Sequence, residues 1–282
     1  MSTLGIKDKD AADQYLGVMG TGTSPLPFYS IPADFYTEVV KGNVAGHSII
    51  HKFGHNTATA NGSWQGVLEV AAQFPFVTAA STVRVKAGGN AADIAAGAGA
   101  QAVTVEGLDD TGAFASESIE LAGASASAVT TTLFWRVFRM YITPLRAGSY
   151  SSLLPTATIT LENGTGGTDL ITILAEEGQS EFCCYSIPLG KTGYLISLTL
   201  SSDSTKASNF RLFTRAALTD FTTPFAPKLQ KGYYSGVVNT IVINHNAPRL
   251  TIPALTDIWI EAYGAGAISE VSAEMEILLV DD

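Results

Sequence analysis

Val271-Ser272-Ala273-Glu274-Met275-Glu276-Ile277-Leu278-Leu279 alternates apolar and polar side chains along its first seven positions. In an extended chain, successive side chains point to opposite faces. Val271, Ala273, Met275, Ile277 and Leu279 therefore line one face, and Ser272, Glu274 and Glu276 line the other. A helix would mix the two sets around its circumference. The segment reads as a β-strand with one buried face.

The same period recurs upstream. Thr82–Lys86 places Val83 and Val85 on one face. Residues 101–106 and 117–121 read as a hairpin turning through Leu108-Asp109-Asp110-Thr111-Gly112. Leu133–Ile142 is apolar on both faces with Arg136 and Arg139 set into it, the pattern of a strand covered on both sides. Tyr194–Leu200, Asn209–Arg215, Val237–Ile243 and Asp257–Tyr263 follow, the first two flanking a polar loop from Ser201 to Ser208. Helical signals are few. Asp34–Lys41 has room for two turns, and Ala91–Ala100, broken by Gly97 and Gly99, reads as a loop.

The expected fold is therefore all-β: an antiparallel β-sandwich or jelly-roll arrangement in two β units behind an extended N-terminal arm. The arm covers residues 1–30, where Gly17, Gly20, Gly22, Pro25 and Pro27 interrupt every apolar period. The first unit covers 31–165 and the second 166–282. The boundary is placed at Asn163-Gly164-Thr165-Gly166-Gly167-Thr168, which reads as a linker or as a long hairpin loop.

The chain has 282 residues, 46% hydrophobic and only 15% charged, and a formal net charge of −10. This composition supports a large core and suggests that neighbours cover much of the surface. No window is rich in Lys or Arg, so direct contact with nucleic acid is not expected. No apolar signal core follows Met1 and no run reaches the length of a membrane helix, so synthesis in a reducing cytoplasm without membrane attachment is expected. The adjacent Cys183 and Cys184 read as reduced thiols.

Residue types that could carry chemistry do not assemble into a known pattern. His47, His51 and His55 recur every four residues. On a strand such neighbours lie about 13 Å apart, too far to share a zinc ion, and His55 follows Gly54 into an expected turn. His245 has no G-x-S-x-G partner motif. Asp109-Asp110 suits a solvated turn better than a calcium loop. Adjacent Glu176-Glu177 and Asp281-Asp282 would point apart on a strand. Trp135 and Trp259 read as core, with subunit contact second. Because Trp259 alternates with Ile258 and Ile260, one of the two faces is expected to expose apolar bulk. No catalytic residue, cofactor site or metal site is assigned, and the chain is expected not to be an enzyme.

Val40–Gly54, Ile187–Leu195 and the closing strand with Thr256-Asp257-Ile258 ahead of it and Ile277–Asp281 at its end resemble, in that order, a family of virion structural proteins of tailed bacteriophages. Arg136–Tyr141 fits the same pattern, and the resemblance covers most of residues 38–282. It implies a virion component. Its expected role is a capsid cement or decoration protein that forms a homo-oligomer, with a trimer favoured, and binds the major capsid protein or other virion proteins. The alternative is a tail or fibre component that binds a host surface glycan.

Overall fold

The computed structural model describes residues 35–69, 74–145, 153–218, 227–244 and 250–282. The expected arm, residues 1–30, lies outside the described residues. The chain divides into two compact units, Met1–Ile49 and Ile50–Asp282. In the first unit, helix α1 (Phe35–Val40) buries Val39, and its end is held by Lys41 and Asn43, which donate to the Glu38 carboxylate. This is the short helix expected at Asp34–Lys41.

The fold is all-β with antiparallel sheets, as expected. The strands are β1 (His47–Thr59), β2 (Gln65–Gly66), β3 (Val83–Val85), β4 (Ala102–Asp109), β5 (Phe114–Glu120), β6 (Phe134–Thr143), β7 (Ile159–Asn163) and β8 (Asp169–Ile173). They continue with β9 (Cys184–Ser186), β10 (Lys191–Ser202), β11 (Ser208–Arg215), β12 (Leu229–Val237), β13 (Asn239–Asn244), β14 (Thr251–Ile252), β15 (Asp257–Gly264) and β16 (Ser269–Asp281).

Four sheets result. The first has the order β1-β16-β10-β13, with β14 also beside β10. The second has the order β12-β11-β15-β2, with β9 also beside β15. The third is β3-β7-β8 and the fourth β5-β4-β6, which contains the expected hairpin.

The alternation of β16 does what its sequence requires. Val271, Ala273, Met275, Ile277 and Leu279 are buried in one cluster with Leu195, Leu198 and Leu200 of β10 and with Phe210, Leu212, Ile258, Ile260 and Ala262 from the second sheet. The first and second sheets thus form a sandwich. A second cluster joins Phe213 and Trp259, from the other face of the second sheet, to Val83, Leu161 and Ile173 of the third sheet and Val105, Ile119 and Met140 of the fourth. The second sheet is therefore an inner layer with both faces covered. This corrects the reading of Trp259: it and its neighbours Ile258 and Ile260 are all buried, so neither face of β15 exposes apolar bulk. Cys183 and Cys184, pointing opposite ways, fall one in each cluster as buried free thiols.

The glycine run at residues 163–168 is the turn of the β7–β8 hairpin, with Asn163 and Thr168 bonded across it. A division at 165 and 166 would cut that hairpin. β1 contains Gly54 because a Cβ there would meet the Val67 carbonyl and the Cys183 amide.

Burial predicts a sharp contrast along β16. Met275→Ala should lower unfolding free energy by about 2–5 kcal/mol. Glu276→Ala, on the outward face, should change it by no more than about 0.5 kcal/mol. Urea denaturation of the two variants checks this, and equal effects would contradict the strand assignment.

Candidate functional site

The second sheet carries the main polar construction of the interior. On β15, Asp257, Trp259 and Glu261 share one face; on β11, Arg215, Phe213 and Arg211 do so. The antiparallel register sets Arg215 opposite Asp257, Phe213 opposite Trp259 and Arg211 opposite Glu261. Each cross-strand pair is complementary, acid to base or ring to ring. The Phe213 and Trp259 rings stack at 5.5 Å.

Asp257 is 0% exposed in its side chain and receives four donors. Arg136 of β6 clamps it through Nε–Oδ1 at 2.9 Å and Nη2–Oδ2 at 3.0 Å, Ser186 Oγ donates at 2.7 Å, and Arg215 Nη2 donates at 3.2 Å. Glu261 accepts from Arg211 Nη2 at 3.0 Å, Lys228 Nζ at 3.1 Å and the Trp259 indole at 3.1 Å. The Phe76 ring lies near the Arg136 and Arg215 guanidinium carbons, at 5.3 and 4.6 Å. Ser186 is buried and donates to the carboxylate that Arg136 and Arg215 also hold. This arrangement ties β6, β9, β11 and β15 together at one carboxylate.

A second cluster lies around His55. The structure places His55 inside β1, not in a turn, because β1 runs on through Gly54 to Thr59. Its ring reaches Glu181 at 3.2 Å and Glu270 at 2.8 Å. His47 bonds to the Ala45 carbonyl oxygen, and His51 lies 3.9 Å from Glu274, so these three histidines have separate partners. His245 lies outside the described residues. Glu69, Glu177 and Glu181 bring carboxylate oxygens within 4.8 Å of one another, a set that could hold a cation. Burial, then the hydrogen bond and charge of Glu177, push the Glu69 carboxyl up to about 9. Burial and Glu177 also raise Glu181, while His55 opposes them. A cavity of about 140 Å³ beside Glu69 and Glu181 is lined by Leu68, Thr160 and Phe182. No sequence spacing marks this cluster, because Glu69 lies far along the chain from Glu177 and Glu181.

Two surface features complete the inventory. Trp64 meets Tyr263 edge-on at 4.6 Å and Tyr233 at 6.1 Å, with the Arg211 guanidinium over its ring at 3.6 Å. The edge strands β12 and β13 expose Leu229, Tyr233 and Val242, at 51, 51 and 60%. Asp109, in the expected turn, accepts from the Thr111 and Ala113 amides and the Thr111 hydroxyl. Its Oδ1 thus caps the turn itself. Trp135 is only partly buried, and its indole donates to the Asp110 carbonyl oxygen at 3.1 Å.

No family model matches this chain, and no curated protein sequence matches it. Among solved structures it is similar to that of the infectious bursal disease virus Gt strain, at 10% identity over 89% of this chain and 75% of that chain, with a TM-score of 0.21. The crystal structure of the infectious bursal disease virus VP2 subviral particle is similar at 12% identity, over 89% and 74%, with a TM-score of 0.21. TM-scores of 0.21 do not establish a shared fold.

Three variants test this chemistry. Asp257→Ala strands Arg136 in the interior and should cost about 3–5 kcal/mol; adding Arg136→Met should return part of that loss. Chemical denaturation of the single and double variants reads both. Glu69 tests the acidic cluster. Its folded pKa lies above its ordinary 4.5, so the folded state binds the extra proton. The associated stability is fully present below about 4.5 and is lost as pH rises through about 9. Denaturation midpoints between those limits should fall more steeply for the native chain than for Glu69→Gln. Parallel profiles would contradict the shift.

Proposed function

We propose that this chain is a structural protein of a tailed-bacteriophage virion, acting as a cement or decoration protein that stabilises the head shell. The observation that carries the reading is the pair of consecutive edge strands β12 and β13, which keep Leu229, Tyr233 and Val242 in water. Apolar side chains on open sheet edges favour contact with another chain, through area burial and strand pairing. The resemblance of Val40–Gly54, Ile187–Leu195 and the closing strand to virion structural proteins supports the same role. So does the low share of charged residues, 15%.

In this reading the chain works by binding and not by catalysis. It forms a homo-oligomer, a trimer by preference, and its partners are major capsid subunits or other virion proteins. A net charge of −10 keeps it off the nucleic acid. A second reading, a tail or fibre component that binds a host surface glycan, is favoured by one observation. Trp64, Tyr233 and Tyr263 gather beside Arg211, and aromatic rings next to polar groups suit the apolar faces and hydroxyls of a sugar.

The test is co-sedimentation of the purified chain with phage heads stripped of it. Saturable binding, together with a rise in the temperature at which the heads release DNA, is the expected result. Binding to host cells with none to heads would replace the first reading by the second.

A further inference from the structure

We infer that β13 is a self-pairing edge, through which two copies of this chain join their first sheets about a two-fold axis at Val242; the inference rests on the assembly reading above and names its partner as a second copy. β13 pairs on one side only, Asn239–Asn244 against Ser202–Ser197 of β10, and it ends the order of that sheet. Its outer row of backbone N–H and C=O groups has no neighbouring strand among the described residues. Natural edges of this kind are usually guarded by lysine, proline, a bulge or an inward charge. β13 has no lysine or proline, and its register against β10 runs without a shift.

Charge singles out the occupant. Residues 232–248 contain no Asp, Glu, Lys or Arg, in a chain whose net charge is −10. Two copies of so acidic a chain repel, and like charges directly opposite one another weaken a strand pair. A neutral edge removes that penalty at the line of contact. By contrast, β12, the edge of the second sheet, carries Lys231, and β1, at the far edge of the first, carries Lys52 and three histidines.

The sequence of β13 also fits itself. A two-fold axis normal to the sheet makes the pairing antiparallel and keeps each residue on its own face. With Val242 on the axis, Val242 meets Val242, Ile241 meets Ile243, and Thr240 meets Asn244. The neighbouring register, centred on Ile241, would set Ile243 against Asn239 and is poorer in apolar pairs. Ile241 and Ile243 already pack partly against the first core, and pairing would close its open flank. Val242, now 60% exposed on the outer face, would be covered by its own copy. The contact is two-fold, so it pairs monomers or links two trimers and leaves any three-fold contact untouched.

The experiment compares the full chain with Val242→Lys by sedimentation, and adds a Val242→Cys variant under mild oxidation. An exposed valine can be replaced without disturbing the core, so both variants should fold with unchanged circular dichroism. The native chain should sediment with twice the mass of Val242→Lys. Opposed residues of an antiparallel pair lie about 4.5–5.5 Å apart, within disulfide reach. Val242→Cys should therefore form a cross-link between copies, while the buried Cys183 and Cys184 stay reduced. An unchanged mass for Val242→Lys overturns the proposal, as does a Val242→Cys chain that forms no cross-link between copies. Head binding is read separately. Its loss with the mass effect intact would count against the virion role and not against this edge.

Discussion

Arg136 and Asp257 meet where two sheets converge. β6 brings the guanidinium and β15 the carboxylate, and Ser186 of β9 adds a hydroxyl to the same oxygen. A charged pair so completely buried is a poor source of net stability, since both groups give up water to form it. It is a strong constraint on arrangement, because either partner left alone would be an uncompensated buried charge. β6 cannot slide along β15 without breaking a two-bond clamp. The rows of Arg211, Phe213 and Arg215 against Glu261, Trp259 and Asp257 fix the register of β11 in the same way. The two apolar clusters on either side of the second sheet are then packed against a layer whose position is already set.

Much of this was legible in the sequence because a strand with one buried face repeats every two residues. The closing strand, the hairpin of β4 and β5, and β3 follow from that period alone. Arg136 inside an apolar run announced a strand covered on both sides, and its carboxylate partner is the explanation. Other features were not legible because they depend on layers. Trp259 has no exposed neighbour face, since the third and fourth sheets cover what would otherwise be the outside of a two-layer sandwich. The glycine run at 163–168 has the composition of a linker and is a hairpin turn; only the pairing of Ile159–Asn163 with Asp169–Ile173 tells the two apart. Gly54 carries a breaker signal in the sequence, yet β1 runs through it to His55 and beyond. The glycine is there because two other backbone segments approach it.

The candidate site was less legible than the fold. Glu69 comes from a segment far from the one that holds Glu177 and Glu181, and no local pattern links it to them. One signal was present and could have been used: Arg211-x-Phe213-x-Arg215 is the antiparallel complement of Asp257-x-Trp259-x-Glu261. Opposite charges in matching phase on the two segments pair β11 with β15 from the sequence alone. The same reading applied to residues 232–248 finds no charge at all, and that neutrality makes β13 suited to meeting its own copy.

Catalysis asks for an activated group in reach of solvent, and assembly asks for edges and faces that prefer another chain to water. The exposed apolar side chains of β12 and β13 favour the proposed assembly role, and the buried Arg136–Asp257 site holds strands in register. For the virion role proposed above, the most direct test is a cryo-EM reconstruction of particles from cells that express this chain. The account predicts ordered copies on the head shell, with β13 of neighbouring copies about 4.8 Å apart in one continuous sheet. Copies confined to the tail tip or fibres, with Trp64, Tyr233 and Tyr263 facing outward, would contradict it.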